Sequence, residues 1–236
     1  FNPLRQSFDL SMTQPHSPLN SDVNTLRITE IFHSIQGEST YAGQPCVFVR
    51  LTGCPLRCSW CDTTYAFHGG TDMSLEAVLK QVNSYACPLV EVTGGEPLAQ
   101  PAAFPLVTKL CDEGFEVLIE TSGSIDIAPV DSRAQIIMDI KCPGSEMENQ
   151  MRWENIQHIT TKDQIKFVIS NRRDYDWAVD IVKLHHLTDR CPVLFSPTFA
   201  SQDLRHMAEW ILQDRLSVRF QVQLHKFIWG PEARGV

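Results

Sequence analysis

The chain has 236 residues, of which 43% are hydrophobic and 20% are charged, and its formal net charge is −8. This length and composition suit one substantial soluble domain with its own core. The acidic balance argues against a general basic surface for nucleic acid. No apolar run reaches the roughly 18 residues that a membrane span needs. The cysteines follow no disulfide framework, and free thiols indicate a reducing cytoplasm.

The first segment, residues 1–25, is rich in Ser, Pro, Asn and Gln and lacks the apolar core of a secretory signal. We therefore expect a flexible N-terminal tail; a fixed arm used in dimer contacts is the alternative. Residues 26–236 are predicted to form the single folded domain.

Apolar patterns predict alternating strands and helices from residue 26 onward. The predicted strands cover residues 45–52, 89–93, 116–120, 135–140, 165–170 and 193–195, with a final strand at 218–224. Helices are predicted over 74–85, from 101 to a stop before 114, and over 146–156. Two further helices are expected after N-caps at Asn171 and Ser201.

This alternation predicts right-handed βαβ units and a mainly parallel sheet. A closed eight-stranded barrel typically needs about 250 residues. The link at residues 123–133 is also too short, and too interrupted by proline, for a crossover helix. We therefore predict an α/β fold, an incomplete and open parallel β/α barrel of about six strands, with its active site at the C-terminal strand ends.

Cys54, Cys58 and Cys61 follow the first predicted strand with the spacing C-x3-C-x2-C. Three thiolates can bind three irons of a [4Fe–4S] cluster and leave one iron open to a small molecule, whereas ordinary ferredoxins use four cysteines. A structural zinc site is the weaker alternative because it needs four ligands, and the nearest other thiol, Cys46, lies in the preceding strand.

A second motif, Gly94-Gly95-Glu96-Pro97, follows the next strand. Glycines at a strand end let the backbone approach a ligand closely, although the run alone would also fit a tight turn. Further polar groups also follow strand ends: Thr121-Ser122-Gly123, Asp139-Ile140-Lys141, Ser196-Pro197 and His225-Lys226. This shared placement indicates one composite site.

The cysteine triplet, with Trp60 before its last member, and the GGEP segment together resemble the radical S-adenosylmethionine (SAM) superfamily. Three flanking segments narrow the resemblance to the 7-carboxy-7-deazaguanine synthase family: Ile35-Gln36-Gly37-Glu38-Ser39, Cys61-Asp62-Thr63 and Gln223-Leu224-His225-Lys226. The resemblance extends from about residue 28 to the end of the sequence.

The resemblance implies a lyase that converts 6-carboxy-5,6,7,8-tetrahydropterin to 7-carboxy-7-deazaguanine with loss of ammonia, in queuosine and 7-deazapurine biosynthesis. It implies a [4Fe–4S] cluster and SAM, which together supply a 5′-deoxyadenosyl radical, and it implies Mg²⁺. The implied partners are the small pterin substrate, an electron donor such as flavodoxin, and a second copy of the chain in a homodimer.

Matching motif positions also implies residue roles. Cys54, Cys58 and Cys61 would bind the cluster, and the residues along SAM would be Trp60, Asp62, Gly94, Gly95, Glu96, Ser122, Asp139 and Lys141. Thr63 would bind Mg²⁺ through its hydroxyl, and the substrate contacts would be Ile35, Gln36, Gly37, Arg50, Thr93, His225 and Lys226. Taken alone, Thr63 also suits a loop cap, Arg50 a surface strand and Glu96 a structural acceptor.

Two competing functions stay open at this point. A glycyl-radical activating enzyme shares the cluster motif and GGEP but acts on a protein partner. An iron–sulfur electron-transfer module needs neither GGEP nor an open iron. Gln36-Gly37, Arg50 and Thr63 favour a small carboxylated substrate, so the synthase is the leading hypothesis.

Overall fold

The computed structural model describes residues 23–199 and 203–236, so residues 1–22 of the predicted tail lie outside the described part. The described residues form one nine-stranded sheet in the order β3-β1-β2-β4-β5-β6-β7-β8-β9. Its strands are β1 Thr25–Ile35, β2 Pro45–Leu51, β3 Thr71–Ser74, β4 Leu89–Gly94, β5 Glu116–Thr121, β6 Gln135–Ile140, β7 Gln164–Ile169, β8 Val193–Pro197 and β9 Arg219–Phe220.

The parallel wall of the sheet confirms the predicted open barrel. From β2 through β4 to β9, each strand runs parallel to the next strand in the sheet, and the two edge strands, β3 and β9, do not pair with each other. These seven parallel strands are close to the predicted number of about six, and the prediction did not include β1 and β3, which add an antiparallel edge. Many residues of β1 are only partly buried, so the apolar pattern of this strand is weak.

The helices follow the prediction in part. They are α1 Leu75–Ser84, α2 Ala103–Asp112, α3 Arg172–Leu184, α4 Leu204–Gln213 and α5 Leu224–Trp229. The Asn171 side chain caps α3, as predicted, by accepting a hydrogen bond from the Asp174 backbone NH. Asp203 caps α4 in the same way, and the predicted cap, Ser201, lies outside the described residues.

Two predicted elements were wrong. The helix expected over residues 146–156 is replaced by short 3₁₀ turns at Glu148–Gln150 and Trp153–His158, because Glu146 is left-handed and Met151 is extended. The final strand expected over 218–224 shrinks to β9. The chain leaves the sheet there because the Leu224 backbone NH bonds to the Gly37 carbonyl, and α5 begins at Leu224.

Alternation along the strands separates the outer core from the barrel interior. On β2, Val47, Val49 and Leu51 are buried in the apolar core, whereas Phe48 and Arg50 face an internal cavity. The same alternation on the other strands turns polar side chains inward: Glu91 and Thr93 of β4, Glu120 of β5, Asp139 of β6 and Lys166 of β7. The sheet therefore builds a polar chamber inside an apolar shell.

The loop at residues 36–44, between β1 and β2, covers the N-terminal ends of the parallel strands. The Thr40 backbone NH donates to Gln164 Oε1 at 2.8 Å, and Gln164 Nε2 donates to Thr40 Oγ1 at 2.9 Å. The Tyr41 hydroxyl bonds to Glu116 at the start of β5. The loop therefore closes the base of the barrel. Within the described residues, no helix combines the length and apolar character needed to cross a membrane.

Candidate active site

A cavity of about 540 Å³ fills the barrel interior and extends to the loops after the C-terminal strand ends. Of the predicted site residues, the following line it: Ile35, Gln36, Gly37, Arg50, Cys54, Cys58, Trp60, Cys61, Asp62, Thr63, Thr93, Gly94, Gly95, Ser122, Asp139, Lys141, His225 and Lys226. Only the predicted residue Glu96 is absent from this lining. Residues separated widely in sequence therefore form one site, as their placement at strand ends predicted.

The three motif cysteines lie on the loop after β2. Cys54, Cys58 and Cys61 are half-buried at the cavity, and all eight cysteines of the chain are free thiols. The Ser59 hydroxyl anchors this loop to the Gly144 carbonyl at 2.6 Å. Burial raises the pKa of Cys54 to about 11 and also raises the pKa of Cys58. Metal binding must therefore displace the thiol protons, as coordination to a cation does.

The two glycines of GGEP, Gly94 and Gly95, pack directly against the end of β2 and the start of the cysteine loop. A Cβ on Gly95 would overlap the Gly53 carbonyl oxygen and lie 2.8 Å from Cys54 Cβ. A Cβ on Gly94 would lie 2.5 Å from the Leu51 carbonyl oxygen. Neither position has room for a side chain, so these glycines let the two loops pack backbone against backbone.

Glu96 connects the same loop to the end of β5. Its fully buried carboxylate accepts hydrogen bonds from the Ser122 backbone NH at 2.7 Å and the Ser122 hydroxyl at 2.5 Å. It also accepts from the Thr121 hydroxyl at 2.9 Å and the Leu98 backbone NH at 2.9 Å. Burial raises the pKa of Glu96, although the bonds from Ser122 oppose this rise. Both oxygens of the Glu96 carboxylate thus accept hydrogen bonds from other groups of the protein.

One wall of the cavity contains polar atoms that lack protein partners. Lys141 Nζ lies 2.7 Å from Asp139 Oδ2 and 5.2 Å from the centre of the Trp60 ring. Asp139 Oδ1 and Trp60 Nε1 are buried without a hydrogen-bond partner in the described structure. Since buried polar groups nearly always have partners, these two atoms mark positions where a bound ligand would supply them.

Lys166 organises the floor of the cavity, and the sequence analysis missed it. Its ammonium lies 2.9 Å from Glu38 Oε2 and bonds to Glu120 Oε1, and its side chain is only 5% exposed. Burial raises the pKa of Glu38, but the charges of Lys166 and His225 and the hydrogen bonds from Lys166 and Gln223 together lower it more, and the net pKa is about 2. The available signal was a lysine in the middle of the apolar strand QIKFVI.

Gln36 and Glu91 form a second buried contact at the floor. Gln36 Nε2 bonds to the Glu91 carboxyl, and Gln36 Oε1 accepts from the Glu38 backbone NH at 2.8 Å. Burial raises the pKa of Glu91 well above its ordinary value, and the neighbouring Glu120 raises it further. The sequence analysis also missed Glu91, whose surroundings favour the neutral form of its carboxyl group.

Arg50 is a cavity residue and not a surface arginine. Its Nε donates to Glu30 Oε1 at 2.8 Å, and the Tyr65 hydroxyl donates to the same oxygen at 2.9 Å. Burial lowers the pKa of Arg50, but Tyr65 and Glu30 raise it more, and the net direction is upward. The guanidinium is thus a permanent cation that Glu30 fixes from behind.

Thr63 lies beside the last motif cysteine. Its hydroxyl is 3.7 Å from Cys61 Sγ, and it precedes the 3₁₀ turn Thr64–Ala66 without making a side-chain cap bond. The hydroxyl is therefore not used as a loop cap, the alternative that the sequence alone favoured. It faces the cavity, where an oxygen ligand would be accessible.

The cysteines are not arranged around a single metal ion. Across the part of the chain that the structure describes, no three His, Cys, Asp or Glu side chains could hold one ion together. A structural zinc site needs such convergence.

Comparisons with known proteins identify the family. Residues 48–184 match the sequence profile of the Radical SAM superfamily. The chain is 45% identical to the 7-carboxy-7-deazaguanine synthase of Chlorobaculum tepidum over 89% of this chain and 97% of the relative. This chain belongs to the 7-carboxy-7-deazaguanine synthase family of the radical SAM superfamily. Synthases of Koribacter versatilis and Thermoplasma acidophilum are 45% and 40% identical, over 89% and 86% of this chain and 100% and 97% of the relatives.

Solved structures support the same fold. The crystal structure of QueE from Escherichia coli superposes with a TM-score of 0.70 at 24% identity, covering 85% of this chain and 95% of that chain. Streptococcus suis SuiB bound to S-adenosylmethionine superposes with a TM-score of 0.51 at 14% identity, covering 72% of this chain and 45% of that chain. Both likenesses are consistent with an open partial barrel.

Membership of the superfamily implies a [4Fe–4S] cluster and SAM, and the residues present fit both groups. The three thiols face one cavity, and the unpartnered Asp139 Oδ1 and Trp60 Nε1 lie in its wall. This arrangement leaves room for a polar ligand next to the cysteines.

Proposed function

We propose that this chain converts 6-carboxy-5,6,7,8-tetrahydropterin to 7-carboxy-7-deazaguanine with loss of ammonia, a lyase reaction of queuosine and 7-deazapurine biosynthesis. The observation that best supports this proposal is that Arg50, whose side chain is mostly buried, lines the same cavity as the three-cysteine loop. A carboxylated small molecule held by Arg50 would then lie beside the cysteine loop. Neither a protein-activating enzyme nor an electron-transfer module is favoured, because the named relatives cover nearly the whole chain.

In this proposal Cys54, Cys58 and Cys61 hold the cluster. The residues along SAM are Trp60, Asp62, Gly94, Gly95, Ser122, Asp139 and Lys141, while Glu96 holds the GGEP loop in place through its bonds to β5. When bound, the cluster and SAM supply the carbon-centred radical that the reaction needs. The protein supplies orientation, fixed charges and exclusion of water.

The substrate side of the cavity has two ends of opposite charge. Arg50, held by Glu30, offers its remaining guanidinium N–H groups to the substrate carboxylate. The carboxylates of Glu38 and Glu120, fixed by Lys166, accept hydrogen bonds from the amino and ring N–H groups of the pterin. This polarity gives the pterin a single orientation along the barrel.

The other substrate contacts in the proposal come from neighbouring loops and strands: Ile35, Gln36, Gly37, Thr93, His225 and Lys226. Gln36 also holds the Glu38 backbone, because its Oε1 accepts a hydrogen bond from the Glu38 backbone NH while its Nε2 bonds to Glu91. The Thr63 hydroxyl binds Mg²⁺, which prefers oxygen ligands. The family resemblance further supports a flavodoxin-type electron donor, a homodimer and a cytoplasmic location.

The assignment of the cluster is tested by one matched pair of variants. Cys58→Ala removes a proposed cluster ligand, and Cys111→Ala removes a half-buried thiol of α2 that does not line the cavity. After anaerobic reconstitution, we expect Cys58→Ala to lose both iron–sulfur absorbance and formation of the deazaguanine product. Cys111→Ala should keep both. Product formation by Cys58→Ala would show that the cluster assignment is wrong.

A further inference from the structure

The open side of the barrel is covered by residues 223–236, which we call the closing segment. The two-residue strand β9 ends the sheet, and among residues 23–199 and 203–236 its only strand neighbour is β8. The closing segment crosses from β9 to the loop that follows β1. Its first contacts are the Leu224 backbone NH on the Gly37 carbonyl at 2.9 Å and Gln223 Nε2 on Glu38 Oε1 at 3.0 Å.

His225 packs directly on Gly37 at the same crossing. A Cβ on Gly37 would overlap His225 Nδ1 and lie 2.8 Å from the His225 backbone nitrogen. Only glycine therefore lets the closing segment lie flat on the loop. The start of the closing segment, residues 223–225, is thus fixed by a backbone hydrogen bond and by the packing of His225 on Gly37.

The next residue of the closing segment, Lys226, is fixed to the cysteine loop by an ion pair. Lys226 Nζ donates to Asp62 Oδ2 at 2.6 Å, and Asp62 directly follows the motif cysteine Cys61. The Lys226 side chain is 9% exposed, and its ammonium lies 5.6 Å from the centre of the Phe199 ring. Phe227 packs edge-on against Phe199. One cation therefore joins the closing segment, the cysteine loop and the loop after β8.

Beyond α5 the closing segment continues along the cavity. Pro231, Glu232 and Val236 line it. The Arg234 guanidinium lies 4.2 Å from the centre of the Tyr65 ring, and the Tyr65 hydroxyl bonds to Glu30. The segment thus covers the cavity on the same side as the residues that fix Arg50.

We propose that Lys226 and Asp62 form a positioning pair that holds the closing segment against the cysteine loop and so keeps the reaction cavity closed during turnover. This inference rests on the proposed function, because radical chemistry needs water and stray hydrogen donors excluded from the substrate. It adds a positioning role to the ligand contacts proposed above for both residues, because the Lys226 and Asp62 side chains bind each other. Loss of the pair should open the cavity and uncouple SAM cleavage from product formation.

The test compares four proteins as reconstituted holoenzymes: wild type, Lys226→Met, Lys226→Arg and Lys80→Met. Lys80 is an exposed lysine of α1 that does not line the cavity. One readout is amide hydrogen exchange in residues 60–66 and 223–236. The other readout is the amount of 5′-deoxyadenosine released per deazaguanine formed. Amides of the central strands report whether each variant is still folded.

We expect Lys226→Met to speed exchange in both segments roughly tenfold, the factor that corresponds to about 1.4 kcal/mol. This size reflects one charge-assisted hydrogen bond whose carboxylate is half exposed. The ratio of 5′-deoxyadenosine to product should rise severalfold. Lys226→Arg, which keeps the charge, should recover most of both effects, and Lys80→Met should match the wild type.

Two results would overturn the proposal. Lys226→Met could match the wild type in both readouts, or it could lose turnover with no change in exchange. The second result would make Lys226 a ligand contact and not a positioning residue. If the wild type forms no deazaguanine at all, the proposed function fails, while the exchange comparison still decides whether the ion pair holds the closing segment.

Discussion

Replacing Lys166 with Met tests the electrostatic account of the cavity floor. This change leaves the partly buried carboxylates of Glu38 and Glu120 without their shared buried cation, and removing one partner of a buried pair costs about 3–5 kcal/mol. The pKa of Glu38 agrees in direction: the charge of Lys166 and its hydrogen bond are among the causes that lower it from 4.5 to about 2. Because the Glu38 side chain is only 18% exposed, solvent screens this interaction little. We therefore expect Lys166→Met to lower the free energy of unfolding by about 3 kcal/mol at pH 7.

The pH dependence of that loss separates ionic from packing effects. In the wild type the pKa of Glu38 is depressed, so its contribution is present above pH 4.5 and is lost only as pH falls toward 2. In the variant, burial without the Lys166 cation shifts the pKa of Glu38 upward, so the gap in stability between the two proteins widens as pH rises above 4.5. Urea unfolding of the cluster-free proteins at pH 5, 6 and 7 measures this widening gap, with Lys80→Met as the control. A gap that does not change with pH, or one below about 1 kcal/mol, would refute the reasoning.

Three further predictions concern the cofactor and substrate sites. Gly95→Ala should prevent cluster assembly and destabilise the fold by about 1–3 kcal/mol, because the added Cβ would overlap the Gly53 carbonyl oxygen. A normal iron content of this variant after reconstitution would contradict the prediction. Arg50→Lys keeps the charge but loses the hydrogen bond from Nε to Glu30, so KM for the pterin should rise at least about tenfold with a smaller change in kcat. An unchanged KM in steady-state kinetics would show that Arg50 does not bind the substrate carboxylate. Thr63→Ala should weaken the dependence of the rate on Mg²⁺ while leaving cluster absorbance intact, and an identical Mg²⁺ titration would exclude Thr63 from the metal site.

The sequence predicted the parallel wall and the site that it carries because both depend on local patterns. Strand alternation placed Arg50 on the opposite face from Val49 and Leu51, and the structure puts it in the cavity. The cysteine spacing and the GGEP turn are likewise short-range signals at strand ends. They predicted residues that line one cavity in the structure without knowledge of the tertiary structure.

The remaining features depend on contacts between distant parts of the chain. Lys166 meets Glu38 across 128 residues, and Lys226 meets Asp62 across 164. Residues 218–224 have strand-like apolar character, yet the chain turns into α5 because Leu224 bonds to Gly37 and not to a neighbouring strand. No local pattern encodes such partners, so β1, the charged floor and the closing segment emerge only in the folded chain.

The central claim is tested most directly by the number of deazaguanine molecules formed for each SAM consumed. The reconstituted wild-type enzyme would be incubated anaerobically with reductant, SAM, Mg²⁺ and 6-carboxytetrahydropterin, and both species would be counted by mass spectrometry. We predict a product lighter than the substrate by one ammonia, with little net consumption of SAM. Cleavage of SAM with unchanged pterin would contradict the proposed substrate, and a confirmed cluster without SAM cleavage would contradict the enzyme itself.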